Sequence, residues 1–442
     1  MIKIRRIQPF QIKSQSGKGL LSFLQNSSLG KVYRRYLKRY SLVRIFVLWV
    51  WTRLLPIALL IYGKYKCGST PLKKLSEYSL NRQVLFRSQL VQLKLPDVFP
   101  KNKGVGLNLQ TEFEFPEIYV STINNCIVTG SSNFLNVDEG VICHDLFRSS
   151  HDYTSEELHS RFIINSKKSL ITRVSAIKAQ GKIQEGAVFT DAVSGNYAHF
   201  LTEVLPRIFI FSRGYQNTKI PLIIDYGLHP NLMEALRAVV EKNVDLIGLE
   251  VGETLLVKSL QVVSVCGYIP FERRAKTENL TDHSDGIFSP NVLCAMRDFI
   301  KSNILNTVGV VKHKKIFIKR NSHYRNASNA KEIEGTLIAE GFFVVEPEKL
   351  SFSEQVNLFS NAEMLVGVTG AAFANLIFCK PETKIIILIS DYKNMIYGYW
   401  QNMASAVGNK VTYVIGECDD TFSQLHSNFQ IGVTDLLDAI SD

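Results

Sequence analysis

From Gly186 to Ile415 short apolar runs alternate with stretches of helical period, and nothing constrains the fold of this 442-residue chain more tightly. GAVF (186–189) precedes a predicted helix from Tyr197, PLIID (221–225) precedes one near Leu232 to Lys242, and an amphipathic stretch fills 290–305. A second series follows: KIFIK (315–319), a helix near Lys331 to Ile338, FFVVE (342–346), a helix near Phe352 to Ser360, MLVGV (364–368), KIIILIS (384–390), a helix near Lys393 to Ala406, and VTYVI (411–415). Strands and helices in alternation build parallel sheets with helices on both faces. Residues 82–185 hold short apolar runs cut by turn residues, such as IYVSTINNCIVTG and GVICHDLF, and are predicted to be mostly strand. The length exceeds what one core usually supports. The expected class is therefore α/β, with two facing Rossmann-like domains joined near 305–314 and a cleft between them. Ligands of open α/β sheets sit outside the carboxyl ends of the strands, which directs attention to the strand-to-helix turns.

Charge is distributed unevenly. The first 76 residues hold sixteen Lys and Arg and no acidic residue; the remainder holds 35 basic against 40 acidic residues. A mildly acidic body is unsuited to wrapping nucleic acid, so no nucleic-acid partner is expected. Within the extension, Ile45 to Tyr62 reads IFVLWVWTRLLPIALLIY, short for a bilayer span and interrupted by Arg53 and Pro56. Basic residues flank both ends, which a single span cannot reconcile with a preference for cytoplasmic positive charge. A kinked helical segment in the inner leaflet, its flanks on an anionic membrane surface, meets these constraints and puts the protein at the cytoplasmic face of the inner membrane. A single span with a lumenal body is the alternative. The seven cysteines are scattered without a Cys-x-x-Cys pair, which argues against a zinc site or a disulfide framework. The expected divisions are the extension at 1–76, an N-terminal domain at 77–305, a C-terminal domain at 306–425 and a tail helix at 426–442.

Two stretches carry chemistry. In DAVSGNYAHFLTEVLPR (191–207), a helix gathers Phe200, Leu201, Val204 and Leu205 on one face and sets His199, Glu203 and Arg207 at i, i+4 and i+8 on the other, toward cleft or solvent. Glu203 can orient and charge the imidazole, and such a histidine acts as a general base. Asp191 at the preceding strand end is the rival base. Pro206 is expected to kink or end this helix. The second stretch is a pair of turns. KIFIK ends in Arg320, with Arg325 five residues on and Asn329 before the next helix; guanidinium groups grip diphosphate oxygens in a bidentate manner. MLVGV runs into Thr369-Gly-Ala-Ala-Phe-Ala-Asn375, a small-residue turn that lets backbone N–H groups approach an anion. Neither the dinucleotide nor the Walker fingerprint matches, so NAD and a Walker-type ATP site lose support. No Asp-x-Asp metal clamp occurs, and the expectation is chemistry without a metal.

GNYAHFLTEVLPR, KRNSHYRNASN and EPEKLSFSEQVNLFSNAEMLVGVTGAAFANLIF, in that order, resemble the signature blocks of glycosyltransferase family 61 over roughly residues 110–420. The resemblance implies a GT-B architecture and inverting transfer from a nucleotide sugar, often UDP-linked, bound in the C-terminal domain with no further cofactor. It carries over Asn196, His199, Glu203, Pro206 and Arg207 from the first block, and Arg320, Arg325 and Asn329 from the second. From the third it carries over Glu348, Gln355, Gly367, Gly370, Ala371 and Asn375. Thr369 and Ala330 depart from the family's frequent His and acidic residue, and the Thr-Gly-Ala-Ala form looks like bacterial capsule and surface-polysaccharide members. The implied partners are a nucleotide sugar and a saccharide or lipid-linked saccharide acceptor. Two other readings share the scaffold: a polysaccharide-modifying transferase, for example of pyruvyl groups, and a non-catalytic membrane-bound sugar-nucleotide binder.

Overall fold

A computed structural model describes Ile4, Arg5, Ile57, Ile61 and residues 68–442, apart from 80–81, 105–106, 108, 160, 175–176, 216–218, 274–281, 306–312, 323–324 and 420–426. The apolar segment 45–62 and its basic flanks before residue 68 thus lie outside the described residues, save Ile57 and Ile61. Among the described residues no helix is long and apolar enough to cross a membrane. The end of the expected extension belongs to the body: Ser69–Lys74 pairs in parallel with Gly140–Cys143 and antiparallel with Leu170–Arg173. Ile4–Arg5 likewise joins a sheet beside Leu246–Leu249. Charge marked these residues as one basic arm, but unpaired strand edges capture backbone whatever its side chains.

The chain is mixed α/β, with parallel strands in both large sheets. The first sheet has twelve strands. Its parallel part runs Leu246–Leu249, Leu222–Asp225, Gly181–Val188, Thr254–Val263, each hydrogen-bonded to the next. Beyond Thr254–Val263 the long strand Ile118–Thr129 pairs antiparallel, and the remaining pairings from there are mostly antiparallel. In chain order the parallel section reads 3-2-1-4, so its direction of winding reverses between Gly181–Val188 and Thr254–Val263. Alternation alone misses Leu246–Leu249 and Thr254–Val263.

The second sheet has seven strands. Six are parallel, five of them in the order Phe343–Val345, Lys315–Ile318, Met364–Val368, Lys384–Ser390, Lys410–Cys418. That order, 2-1-3-4-5, reverses between Lys315–Ile318 and Met364–Val368. Asp97–Phe99, far back in the chain, adds a parallel strand beside Lys410–Cys418, a pairing that division in sequence order does not anticipate. The C-terminal helix Val433–Ser441 buries Leu436, Ala439 and Ile440 against this sheet.

Helices Pro230–Val239, Pro290–Leu305, Phe352–Asn361 and Gly398–Ala406 fill the space between the sheets. Pro290–Leu305 buries Val292, Leu293, Met296, Ile300 and Ile304 along one stripe, the 3.6-residue period read from its sequence. The largest apolar cluster is continuous from Ala187 and Leu222 of the first sheet through Met296 and Val356 to Ile385 and Val411 of the second.

Candidate functional site

Each sheet reverses its winding at one point, where open α/β sheets as a rule leave a crevice beyond the strand ends. At the first, Gly181–Val188 delivers Asp191 and Thr254–Val263 delivers Gly267 and Tyr268; these line one pocket together with Glu203 and Arg207. Asp191 is buried. Its N–H donates to Asp225 at 2.9 Å and its Oδ1 accepts from the Val193 N–H at 3.1 Å.

The helix that follows begins at Asn196, whose side chain accepts from the Ala198 N–H at 3.0 Å. It is α over Tyr197–His199, widens to a π turn over Phe200–Val204, and returns to α over Leu205–Gly214. Pro206 does not end the helix. Lacking an N–H, it leaves the Thr202 carbonyl free of its usual helical partner. That carbonyl lies so close to Gly267 that a Cβ there would sit 2.3 Å from it. Turns of this kind are frequent at functional sites because they re-aim side chains.

His199 Nδ1 meets Glu203 Oε1 at 2.5 Å. With the carboxylate holding Nδ1–H, Nε2 is the basic nitrogen, and it has no partner among the described residues. Burial alone would push the ring down, but the charge and hydrogen bond of Glu203, with Asp191 beyond, outweigh it and hold His199 above the usual histidine value. Burial pushes Glu203 up as well, against the pull of His199. Of the two placements expected for the His–Glu–Arg row, cleft or solvent, Glu203 and Arg207 take the first: they line the pocket and are 7% and 8% exposed. The loop around Tyr268 covers the face that a lone amphipathic helix would leave wet, and the Ile269 N–H donates to Glu203 Oε2 at 3.4 Å. Arg207 donates to the Glu203 carbonyl at 2.9 Å and to Asp191 Oδ2 at 3.4 Å. All three residues expected to be catalytic thus share one cluster.

The second crevice holds the arginine turn and the glycine turn side by side. Arg320 donates to the Thr369 carbonyl at 3.1 Å and to Ser322 at 3.3 Å. A Cβ on Gly370 would stand 2.0 Å from Arg320 Nη1, so any larger residue there would displace the guanidinium from this position. Arg325 has left-handed backbone, φ 57°, a conformation that carries strain in a non-glycine residue. Its Nε is buried without a hydrogen-bond partner. Burial, and then Arg325, push Arg320 down to about 10, which still leaves it charged at neutral pH. Two neighbouring guanidinium groups, one with an orphaned donor, have the chemistry to hold an anion. Ala371 opens the 3-10 helix Ala371–Phe378 at this turn.

Four residues expected to touch substrate are engaged within the protein. Asn375 donates to Gln355 at 2.8 Å and accepts from the Tyr197 hydroxyl at 2.8 Å, while Gln355 donates to the Leu350 carbonyl at 3.2 Å. Both are buried; they fasten the histidine helix to the glycine turn. Asn329 clamps Ile431 through its backbone N–H at 3.1 Å and carbonyl at 2.9 Å. Thr369 accepts from the Trp400 indole at 2.9 Å. The Tyr399 ring lies tilted against Trp400, centroids 4.3 Å apart, and burial and then the Glu203 charge push its hydroxyl up. Tyr399 and Trp400 therefore run between the two crevices, and no local pattern singles them out. The same holds for Tyr197 and Tyr268.

Residues 197–386 match the family model described as Glycosyltransferase 61. The match begins at the histidine helix and ends in the strand after the glycine turn, taking in Glu203 and Arg207 of the first crevice but not Asp191, and both turns of the second, and it supports glycosyltransferase activity. No curated protein matches the chain.

Proposed function

We propose that this chain, a glycosyltransferase by its Glycosyltransferase 61 domain, moves a sugar with inversion from a nucleotide-sugar donor, UDP-linked, to a saccharide acceptor. The observation that carries the reading is the second crevice: Arg320 and Arg325 lie together at a switch point, and the missing side chain of Gly370 makes room for the Arg320 guanidinium. They hold the donor diphosphate. Their charge takes up the negative charge that develops on the leaving group, which is the function a metal clamp serves elsewhere. Across the shared core, His199 Nε2 takes the acceptor hydroxyl's proton while that oxygen attacks the anomeric carbon. The bond from that carbon to the diphosphate breaks, and the nucleoside diphosphate departs with the electron pair. Glu203 holds the ring's tautomer and stabilises the imidazolium. Asp191 holds Arg207 and the turn entering the helix.

In this reading the two sheets are the facing halves of a GT-B enzyme. The basic extension keeps the protein on the cytoplasmic face of an anionic membrane, where a lipid-linked acceptor of surface or capsular polysaccharide synthesis would be presented. Screening nucleotide sugars for thermal stabilisation and for nucleoside diphosphate release tests the proposal. Stabilisation by one donor, lost in Arg320→Ala, is expected. Release of no nucleoside diphosphate from any donor, with any saccharide acceptor, would overturn it.

A further inference from the structure

The transfer chemistry uses Asp191, Glu203 and Arg207 of the first pocket but leaves two of its lining residues, His144 and Tyr268, without a task. His144 follows the strand Gly140–Cys143 on a fixed loop. Its neighbour Asp145 accepts from the Tyr119 hydroxyl at 2.5 Å and from the Ser76 N–H at 2.8 Å. The His144 ring meets Tyr268 edge-on, with centroids 4.4 Å apart, and Phe147 at 6.1 Å. Its Nδ1 is sealed from solvent and has no hydrogen-bond partner.

Buried polar atoms are almost always paired, and an orphan opposes folding. A phenylalanine would pack on Tyr268 and Phe147 without that penalty, so folding alone gives no reason for an imidazole here. Burial pushes His144 down to about 4 against the pull of Asp191. The ring is therefore neutral at physiological pH and offers one donor and one acceptor. Asp191 Oδ2, in the same pocket, has long contacts to Asn133 and Arg207, both 3.4 Å, and retains acceptor capacity. With the proton on Nδ1, a single group that bridges this imidazole and the carboxylate accepts from the ring and donates to Asp191, as a hydroxyl does and a fully ionised phosphate does not.

We propose that His144 and Asp191 form a two-point seat for a non-reacting hydroxyl of the saccharide acceptor, with the Tyr268 ring as the apolar wall against the sugar. The inference rests on the reading of the chain as transferring sugar to a saccharide. The acceptor, and not the donor, occupies this seat because Glu203, the partner of His199, lines the pocket, while the diphosphate belongs to the arginines of the other sheet.

Saturation-transfer NMR on the full chain, with a panel of methyl pyranosides as probes and UDP as control, tests the seat. At least one glycoside is expected to bind the wild type and to bind His144→Phe about tenfold more weakly, the scale of one hydrogen bond. UDP should bind both alike. The deoxy form lacking the seated hydroxyl should bind wild type and variant equally. His144→Phe should melt no lower than the wild type; if it melts lower, His144→Gln, which keeps a donor and an acceptor, must restore glycoside binding. Binding of no glycoside by the wild type, equal binding of every glycoside by His144→Phe, or no restoration by His144→Gln would overturn the proposal. Nucleoside diphosphate release is measured separately: its absence removes the transfer reading while leaving the glycoside result to stand or fall by itself.

Discussion

His199 is useful as a base only when neutral, and Glu203 beside it favours the charged form. Turnover should therefore rise with pH through an apparent pKa above 6.5, the ordinary histidine value. The linked stability has the opposite sense: the raised pKa stabilises the fold fully below the ordinary value and is lost as pH rises through the folded one. Glu203→Gln should move the acid limb of the rate profile downward; a limb that stays in place removes the pair from catalysis. His199→Ala should lose about 10²–10⁴-fold in turnover, the usual worth of proton transfer, while still binding donor. If Asp191→Asn is inactive and His199→Ala keeps most of its turnover, Asp191 is the base. Gly370→Ala drives a methyl into Arg320 Nη1. The displaced guanidinium should cost donor binding about 1.5–3 kcal/mol, read by calorimetric titration of nucleotide.

At the scale of elements, the histidine helix is shaped by what touches it. Pro206 frees the Thr202 carbonyl, and Gly267 allows that carbonyl to approach. Gly267→Ala should destabilise the protein by about 1–3 kcal/mol through overpacking in urea titration, with turnover falling as Tyr268 and the helix shift apart. Unchanged stability would mean that the strand end yields freely. Asn375 ties Tyr197 to Gln355. Asn375→Ala strands those partners and should cost about 1–3 kcal/mol, with turnover falling more than nucleotide affinity because it is the histidine helix that comes loose. The helix and the i, i+4 pair were legible in the sequence, since both follow from spacing. The π turn and the inward burial of Glu203 and Arg207 were not, because they depend on Gly267 and Ile269, more than sixty residues away.

For the whole molecule, the division of charge predicts a division of partners. Removing residues 1–67 should leave a body that no longer sediments with anionic vesicles, whereas the full chain does. Sedimentation of the truncated body would place the membrane contact elsewhere. The sequence by itself determined the α/β class, most strands and helices of the C-terminal half, and the His–Glu and Arg–Arg pairs, because each is recorded in short-range periodicity or adjacency. Tertiary structure decided the order of strands, and with it the crevices. Alternation is the same for every order in which strands might pair, so it cannot place Arg320 beside Gly370. Nor can it bring His144, Asp191 and Tyr268 to one pocket. It also could not separate Asn375, Gln355 and Asn329, which hold the frame, from Arg325, which keeps an unpaired donor. An amide reads alike in sequence whether it binds a ligand or a backbone; only its neighbours in space tell the two apart.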